Sequence, residues 1–174
     1  MAKRLHRDCC QANRNPEKSE QEYLKALEIS GAKGDKQGIA RAYFNLGSIY
    51  LEQNELGRAE QTSKKALRIC EEIKDECLLQ GIYFNLGVTY RMNNKLDKAE
   101  KMILKSLEIN ERTGKLDFVG IECVELGKIY KERGDKEKWR EYWLKAAEIF
   151  ISIGATKVAE DLQAKIDKSQ GNRR

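Results

Sequence analysis

The side chains best suited to catalysis or metal binding stand near the N-terminus, where Cys9 and Cys10 follow His6. This H-x-x-C-C pattern supplies only three potential ligands, whereas a structural zinc site uses four, usually with a second Cys or His pair. His6 is the only histidine, so no thiol or hydroxyl elsewhere in the chain has an imidazole nearby in sequence to act as its general base. The sequence therefore predicts no enzyme activity, no metal and no cofactor.

The remaining thiols are expected to be reduced and to behave as small hydrophobic side chains. Cys70 and Cys77 lie on either side of a predicted turn, so a disulfide between them is the alternative, whereas Cys123 has no such neighbour. Residues 31–36 contain glycine and lysine but follow a predicted helix and lack the order of a phosphate-binding loop. We interpret this segment as a turn between helices.

The composition is that of a soluble helical chain. Only Pro16 is a proline among 174 residues, of which 35% are charged, and Lys, Glu, Leu, Ala and Arg are good helix formers. No apolar run approaches the roughly 18 residues of a membrane span, and the N-terminus is charged, which predicts a cytoplasmic protein. The net charge of +5 comes from interspersed residues, which does not favour nucleic acid as a partner.

A repeat of 40 residues organises the chain. The letters YFNLG at residues 43–47 recur at residues 83–87, and residues 43–72 match residues 83–112 at 14 of 30 positions. About two matches would arise by chance. Leu126 and Gly127 continue the series. Such a period is typical of proteins built by stacking one supersecondary unit.

Each unit has the pattern of two helices joined by a polar turn. In the first helix, Tyr43, Leu46 and Tyr50 recur at helical spacing on one face. Gly47 lowers helix propensity, so its recurrence predicts a close approach of the second helix, with Ala59 opposite. Between units, a glycine in the left-handed conformation is expected to end the helix, and aspartates are expected to cap the next one. The glycines are Gly34, Gly114 and Gly154, with Lys74 as the one exception at this position, and the capping residues are Asp35 and Asp75.

These residues resemble the tetratricopeptide repeat, in which Trp or Tyr precedes Leu-Gly and then Tyr, and Ala follows on the second helix. The resemblance covers about residues 17–170. The usual period is 34 residues with a closing proline, so this chain is similar to the long-helix subclass of kinesin light chains, spindle-orientation adaptors and Rap-type regulators. The resemblance implies an all-α fold, a right-handed superhelical solenoid of antiparallel helix pairs, with about three and a half repeats and a C-terminal capping helix.

The implied single domain spans residues 1–174. Its parts are a degenerate first repeat at 1–34, repeats at 35–74, 75–114 and 115–154, a capping helix at 155–170 and a tail at 171–174.

The resemblance also implies a concave groove lined by the first helices. The implied partner-binding residues are Arg41, Phe44, Asn45, Ser48, Leu51, Phe84, Asn85, Val88, Arg91, Met92, Val124, Glu125, Lys128 and Lys131. Phe44 and Phe84 either form an apolar stripe in the groove or pack against a neighbouring helix, and Asn45 and Asn85 bind either a peptide backbone or the next repeat.

The function implied is a non-catalytic protein–protein interaction module that binds a peptide or partner helix in the groove, as an adaptor or regulator. One alternative is a structural scaffold that stacks end to end as a homo-oligomer through its terminal helices. Another is the sensor domain of a nucleic-acid-associated regulator. The aromatic cluster of Trp139, Tyr142 and Trp143 is predicted to seal the core of the last repeat, with a partner surface as its alternative.

Overall fold

The computed structural model describes residues 16–171, with side chains described up to Lys168, and contains eight helices and no strand within that range. The helices are α1 (Pro16–Lys33), α2 (Lys36–Glu52), α3 (Leu56–Ile73), α4 (Glu76–Met92), α5 (Leu96–Thr113), α6 (Leu116–Arg133), α7 (Lys136–Ser152) and α8 (Thr156–Gly171). The prediction of an all-α helical repeat fold is confirmed. The predicted helix over residues 3–12, with His6, Cys9 and Cys10, lies outside the described residues.

The helices end and begin as the repeat pattern predicted. Gly34, Gly114 and Gly154 have φ between 66° and 77°, and Lys74 takes the same left-handed conformation at φ 56°. Asp35 then accepts a hydrogen bond from the Gly38 N–H at 2.9 Å, which caps α2. Asp75 likewise accepts a hydrogen bond from the Leu78 N–H at 3.1 Å, in the first turn of α4. These short turns hold consecutive helices side by side.

The chain divides into two compact units, Met1–Thr89 (unit 1) and Tyr90–Arg174 (unit 2), and the boundary falls within α4. In unit 1, α2 packs against both α1 and α3. In unit 2, α6 packs against both α5 and α7, and α8 packs on α7. The first helices α2 and α6 are therefore each packed between two second helices.

The core of unit 1 contains Leu46, Tyr50 and Ala59, against which Leu51 packs from the side. The prediction that Ala59 stands opposite Gly47 is wrong. A Cβ added at Gly47 would lie 2.6 Å from the Oγ of Ser63, so the helices approach one turn further along α3. Ala59 is instead part of the core cluster.

The core of unit 2 is richer in aromatic side chains. Trp139 and Trp143 pack edge to face with ring centroids 5.2 Å apart, and both are 5% exposed, so the interpretation of this cluster as core is supported. A Cβ added at Gly127 would lie 2.0 Å from Cδ1 of Trp143, which means that the indole rests directly on the α6 backbone. Tyr142 stacks on Tyr130 at 5.4 Å.

Candidate functional site

Four polar side chains form a line along α2, on the side away from its core face. Arg41, Asn45, Ser48 and Glu52 are spaced i, i+4, i+7 and i+11, which places them within about one quarter of the helix circumference. Arg41 and Glu52 are exposed, and the two between them are half-buried. We call these four residues the α2 polar stripe.

Three members of the stripe have unused polar groups. The side chains of Arg41, Asn45 and Glu52 make no hydrogen bond or ion pair with any residue that the structure describes. An amide within a helix disfavours that conformation, and a half-buried amide without a partner leaves hydrogen-bonding capacity unmet. The stripe can therefore offer a guanidinium, an amide and a carboxylate to a ligand.

Ser48, by contrast, is engaged in a contact with α4. Its hydroxyl donates to the Phe44 carbonyl at 3.2 Å and accepts from Nδ2 of Asn85 at 2.7 Å. Asn85 is 1% exposed, and its Oδ1 has no hydrogen-bond partner among the described residues. The Asn85 amide therefore ties α4 to α2 through its donor, which is the inter-repeat bond that the sequence left as one alternative.

The aromatic side chains of this face are partly used in packing. The Phe44 ring contacts α4, because a Cβ added at Gly81 would lie 2.9 Å from its Cζ. Phe44, Phe84 and Val88 are all half-buried. Phe44 thus contributes to the contact between α2 and α4 in unit 1 and leaves only part of its surface on the predicted groove face.

In unit 2 the predicted groove residues form a network of ion pairs. Arg91, near the end of α4, pairs with Glu125 at 3.0 Å and with Glu132 at 2.7 Å on α6. Glu125 also pairs with Lys128. Burial alone would lower the pKa of Arg91, but Glu125 and Glu132 outweigh it and raise that pKa above its usual value. The charges of this network are already balanced within the protein.

The other predicted residues of unit 2 have different surroundings. The Lys131 ammonium lies 5.4 Å and 5.1 Å from the ring centroids of Trp139 and Trp143, within the range of a cation–π contact. The Val124 carbonyl accepts a hydrogen bond from Nε1 of Trp143 at 3.1 Å, while its side chain is half-buried. Met92 is 42% exposed. Of the two apolar side chains, that of Met92 is the more available to a partner.

A buried carboxyl group escaped the sequence analysis. Glu122 is 1% exposed, and its Oε1 accepts hydrogen bonds from Ser106 and, at 2.7 Å, from Nδ2 of Asn110. Burial raises the pKa of Glu122 to about 7 and the Glu111 carboxylate adds to the rise, although the two hydrogen bonds act against it. The sequence signal was weak, because a single Glu in an otherwise apolar helical stretch is also typical of a solvated position.

A tyrosine–glutamate hydrogen bond recurs in both units. Tyr50 donates to Glu20 at 2.7 Å, and Tyr130 donates to Glu100, again 30 residues earlier in the chain. Burial and the Glu20 carboxylate raise the pKa of Tyr50 to about 12. The in-phase spacing of these glutamates was the signal that could have revealed the bond.

Comparisons with known proteins agree with this architecture. Two family models described as tetratricopeptide repeat match the chain, one at residues 8–72 and the other at residues 81–113 and 123–150. Among solved structures, the chain is similar to the crystal structure of BtubC (BKLC) from P. vanneervenii, with 19% sequence identity and a TM-score of 0.70, over 91% of this chain and 68% of that chain. At this identity the likeness shows the fold alone. No curated protein matches the sequence.

The described part of the chain contains neither a metal-binding cluster nor a membrane-spanning helix. No group of three or more His, Cys, Asp or Glu side chains there could hold a metal ion. None of the helices in residues 16–171 is long and apolar enough to cross a membrane.

Proposed function

Because the chain belongs to the tetratricopeptide repeat family, we propose that it is a non-catalytic protein-interaction module, an adaptor or regulator that binds an extended peptide along the α2 polar stripe. Repeat proteins of this kind use the concave surface of their stacked units for binding. The observation that carries the proposal is that Arg41, Asn45 and Glu52 are without partners among the described residues.

Asn45 is the group that favours an extended peptide over a partner helix. An amide side chain offers two N–H donors and one carbonyl acceptor, which match the two groups of a peptide unit. An extended segment has such groups free, whereas a helix uses its own internally. The half-buried position of Asn45 makes a hydrogen bond there more valuable than one in open water.

Apolar contacts flank the stripe on one side. Phe44 and Leu51 lie on α2, and Val88 lies on α4, all half-buried. Each has part of its surface covered by the fold and part left to contact a ligand. A specific binding site usually combines an apolar surface with a few polar groups that fix the orientation of the ligand.

Unit 2, taken by itself, offers a different set of groups to a partner. Its charged residues Arg91, Glu125 and Lys128 already satisfy one another, so a ligand gains little by pairing with them. The exposed Met92 side chain is the contact that we assign to a partner there. An unbranched thioether adapts to differently shaped apolar groups.

The test is selection from a library of displayed random peptides, followed by affinity measurement with purified variants. Asn45→Ala removes hydrogen bonds worth about 1 kcal/mol, so we expect about a fivefold loss of affinity. Arg68→Ala is the matched control, because Arg68 is exposed on α3 of the same unit but lies outside the stripe. Circular dichroism checks that both variants keep their helices.

Two results would contradict the proposal. One is a selection that enriches no peptide, and the other is an equal effect of Asn45→Ala and Arg68→Ala on the enriched peptides. The scaffold alternative predicts instead that the chain assembles as its concentration rises. Light scattering measures this directly, and a strict monomer would remove that alternative.

A further inference from the structure

We infer that the α2 polar stripe selects an extended peptide with an acidic side chain at one end and a basic side chain about five residues away, a partner chemistry that rests on the proposed function of the same face. The acidic end lies at Arg41 and the basic end lies at Glu52. The apolar residues between these ends contact Phe44 and Leu51.

The spacing of the two charges sets the length of the peptide. Glu52 lies eleven positions after Arg41, which is about 16 Å along a helix. An extended chain covers this distance in about five residues, since it rises about 3.3 Å per residue. The charges cannot neutralise each other, because about 16 Å exceeds the screening length of roughly 8 Å at physiological salt.

Both charges are exposed, and no residue that the structure describes supplies a counterion for either. Arg41 and Glu52 pair with no described residue. The equivalent of Glu52 in unit 2 is Glu132, 80 residues later, and that carboxylate pairs with Arg91 at 2.7 Å. The position therefore accepts a cation where one is present, and in unit 1 the cation is left to the ligand.

Glu52 is also placed where a helix disfavours a negative charge. It is the last residue of α2, and the last turn contains no basic residue. The carbonyl groups at a helix C-terminus carry partial negative charge, so an anion there is less favourable than a cation. A basic side chain of a peptide would interact favourably with both the carboxylate and the helix end.

The combination of opposite charges belongs to α2 alone among the three first helices described. The positions equivalent to Arg41 are Gly81 on α4 and Ile121 on α6, and the positions equivalent to Glu52 are Met92 and Glu132. The charge order is thus a property of one helix and not of the repeat.

The experiment uses the full chain and three displayed sub-libraries of eight-residue peptides with randomised apolar centres. The charged residues near the two ends are fixed as Asp and Lys, as Asp and Asp, or as Lys and Lys. We expect the wild-type chain to enrich the mixed sub-library about threefold to tenfold over the other two at low salt. High salt should reduce the preference.

Charge-reversal variants give the decisive comparison. Arg41→Glu should shift the preference to the Lys–Lys peptides, and Glu52→Lys should shift it to the Asp–Asp peptides. The double variant should prefer mixed peptides again, since a peptide can run in either direction. Arg68→Glu, which changes the net charge as Arg41→Glu does, should keep the wild-type preference.

The outcomes separate the two levels of the proposal. If all three sub-libraries are enriched alike, or if Arg68→Glu shifts the preference as Arg41→Glu does, the inferred charge order is wrong while peptide binding stands. If none of the sub-libraries is enriched by the wild-type chain, the proposed function fails together with the charge order.

Discussion

The phenol of Tyr130 donates a hydrogen bond to the carboxylate of Glu100, and Tyr50 makes the same bond to Glu20 at the equivalent place in unit 1. The bond connects the end of each first helix to the second helix that precedes it in sequence. A guanidinium completes each pair, because Arg133 contacts Glu100 as Arg58 contacts Glu20. The tyrosine–glutamate bond is therefore repeated between the units, while its arginine comes from α6 in unit 2 and from α3 in unit 1.

We expect Tyr130→Phe to lower the free energy of unfolding by about 1–2 kcal/mol, because the variant loses a hydrogen bond to a charged acceptor. Tyr142→Phe is the matched control, since the Tyr142 hydroxyl makes no hydrogen bond to a described residue although its ring stacks on Tyr130. Urea unfolding measures both. Equal losses would mean that the Tyr130 hydroxyl adds nothing to stability.

Glu122 should make stability depend on pH. Its pKa in the folded state is about 7, above the ordinary value of 4.5, so the folded chain holds this proton more tightly than the unfolded chain. The stability that the protonated Glu122 contributes is therefore fully present below about pH 4.5. Roughly 3 kcal/mol of it is lost as the pH rises to about 7.

The measurement for Glu122 is urea unfolding at pH 5 and pH 8 for the wild-type chain and for Glu122→Gln. The amide cannot ionise, so the variant should lose less stability than the wild type between these two values. The other carboxylates titrate alike in both proteins, so their effect cancels when the two changes in stability are subtracted. Identical pH profiles would show that Glu122 ionises as an exposed carboxylate does.

Glycine substitutions should separate a steric effect from helix propensity. Gly127→Ala would place a Cβ 2.0 Å from Cδ1 of Trp143, and a buried indole cannot withdraw, so we expect a loss of about 3 kcal/mol or more. Gly57→Ala meets nothing within 4 Å and should stabilise the protein by up to about 1 kcal/mol. Thermal unfolding distinguishes them, and a tolerated Gly127→Ala would disprove the close approach.

Removal of the Arg91 guanidinium should destabilise unit 2. Glu125 is 5% exposed, and Arg91→Ala would leave it with Lys128 as its remaining cation, at an expected cost of about 2–3 kcal/mol. Arg91→Lys should cause a smaller loss of stability than Arg91→Ala, because an ammonium keeps the charge but cannot contact two carboxylates in the planar geometry of guanidinium. Arg140→Ala, an exposed position on α7, serves as the control for charge removal, and a similar loss there would contradict this account.

The sequence predicted the helices and their ends well, because hydrophobic periodicity, glycine and aspartate act locally. It failed where the answer depends on how two helices cross. The partner of Gly47 is Ser63 and not Ala59, since a shift of one helical turn between α2 and α3 leaves the apolar pattern of each helix unchanged.

The candidate site was harder to predict for the same reason. Asn45 and Asn85 are identical in local sequence, yet Asn85 is buried against Ser48 while Asn45 has no partner among the described residues. For Asn85 the partner comes from a neighbouring helix, since α2 supplies the Ser48 hydroxyl. A single sequence carries no record of that pairing.

The two tryptophans give the protein an optical asymmetry. Both indoles, Trp139 and Trp143, belong to unit 2, and unit 1 contains none. Intrinsic tryptophan emission will therefore follow unit 2 alone, while helical ellipticity follows both units. Coincident transitions by the two signals would mean that the chain unfolds as one cooperative body, and separated transitions would give the stability of each unit without any added label.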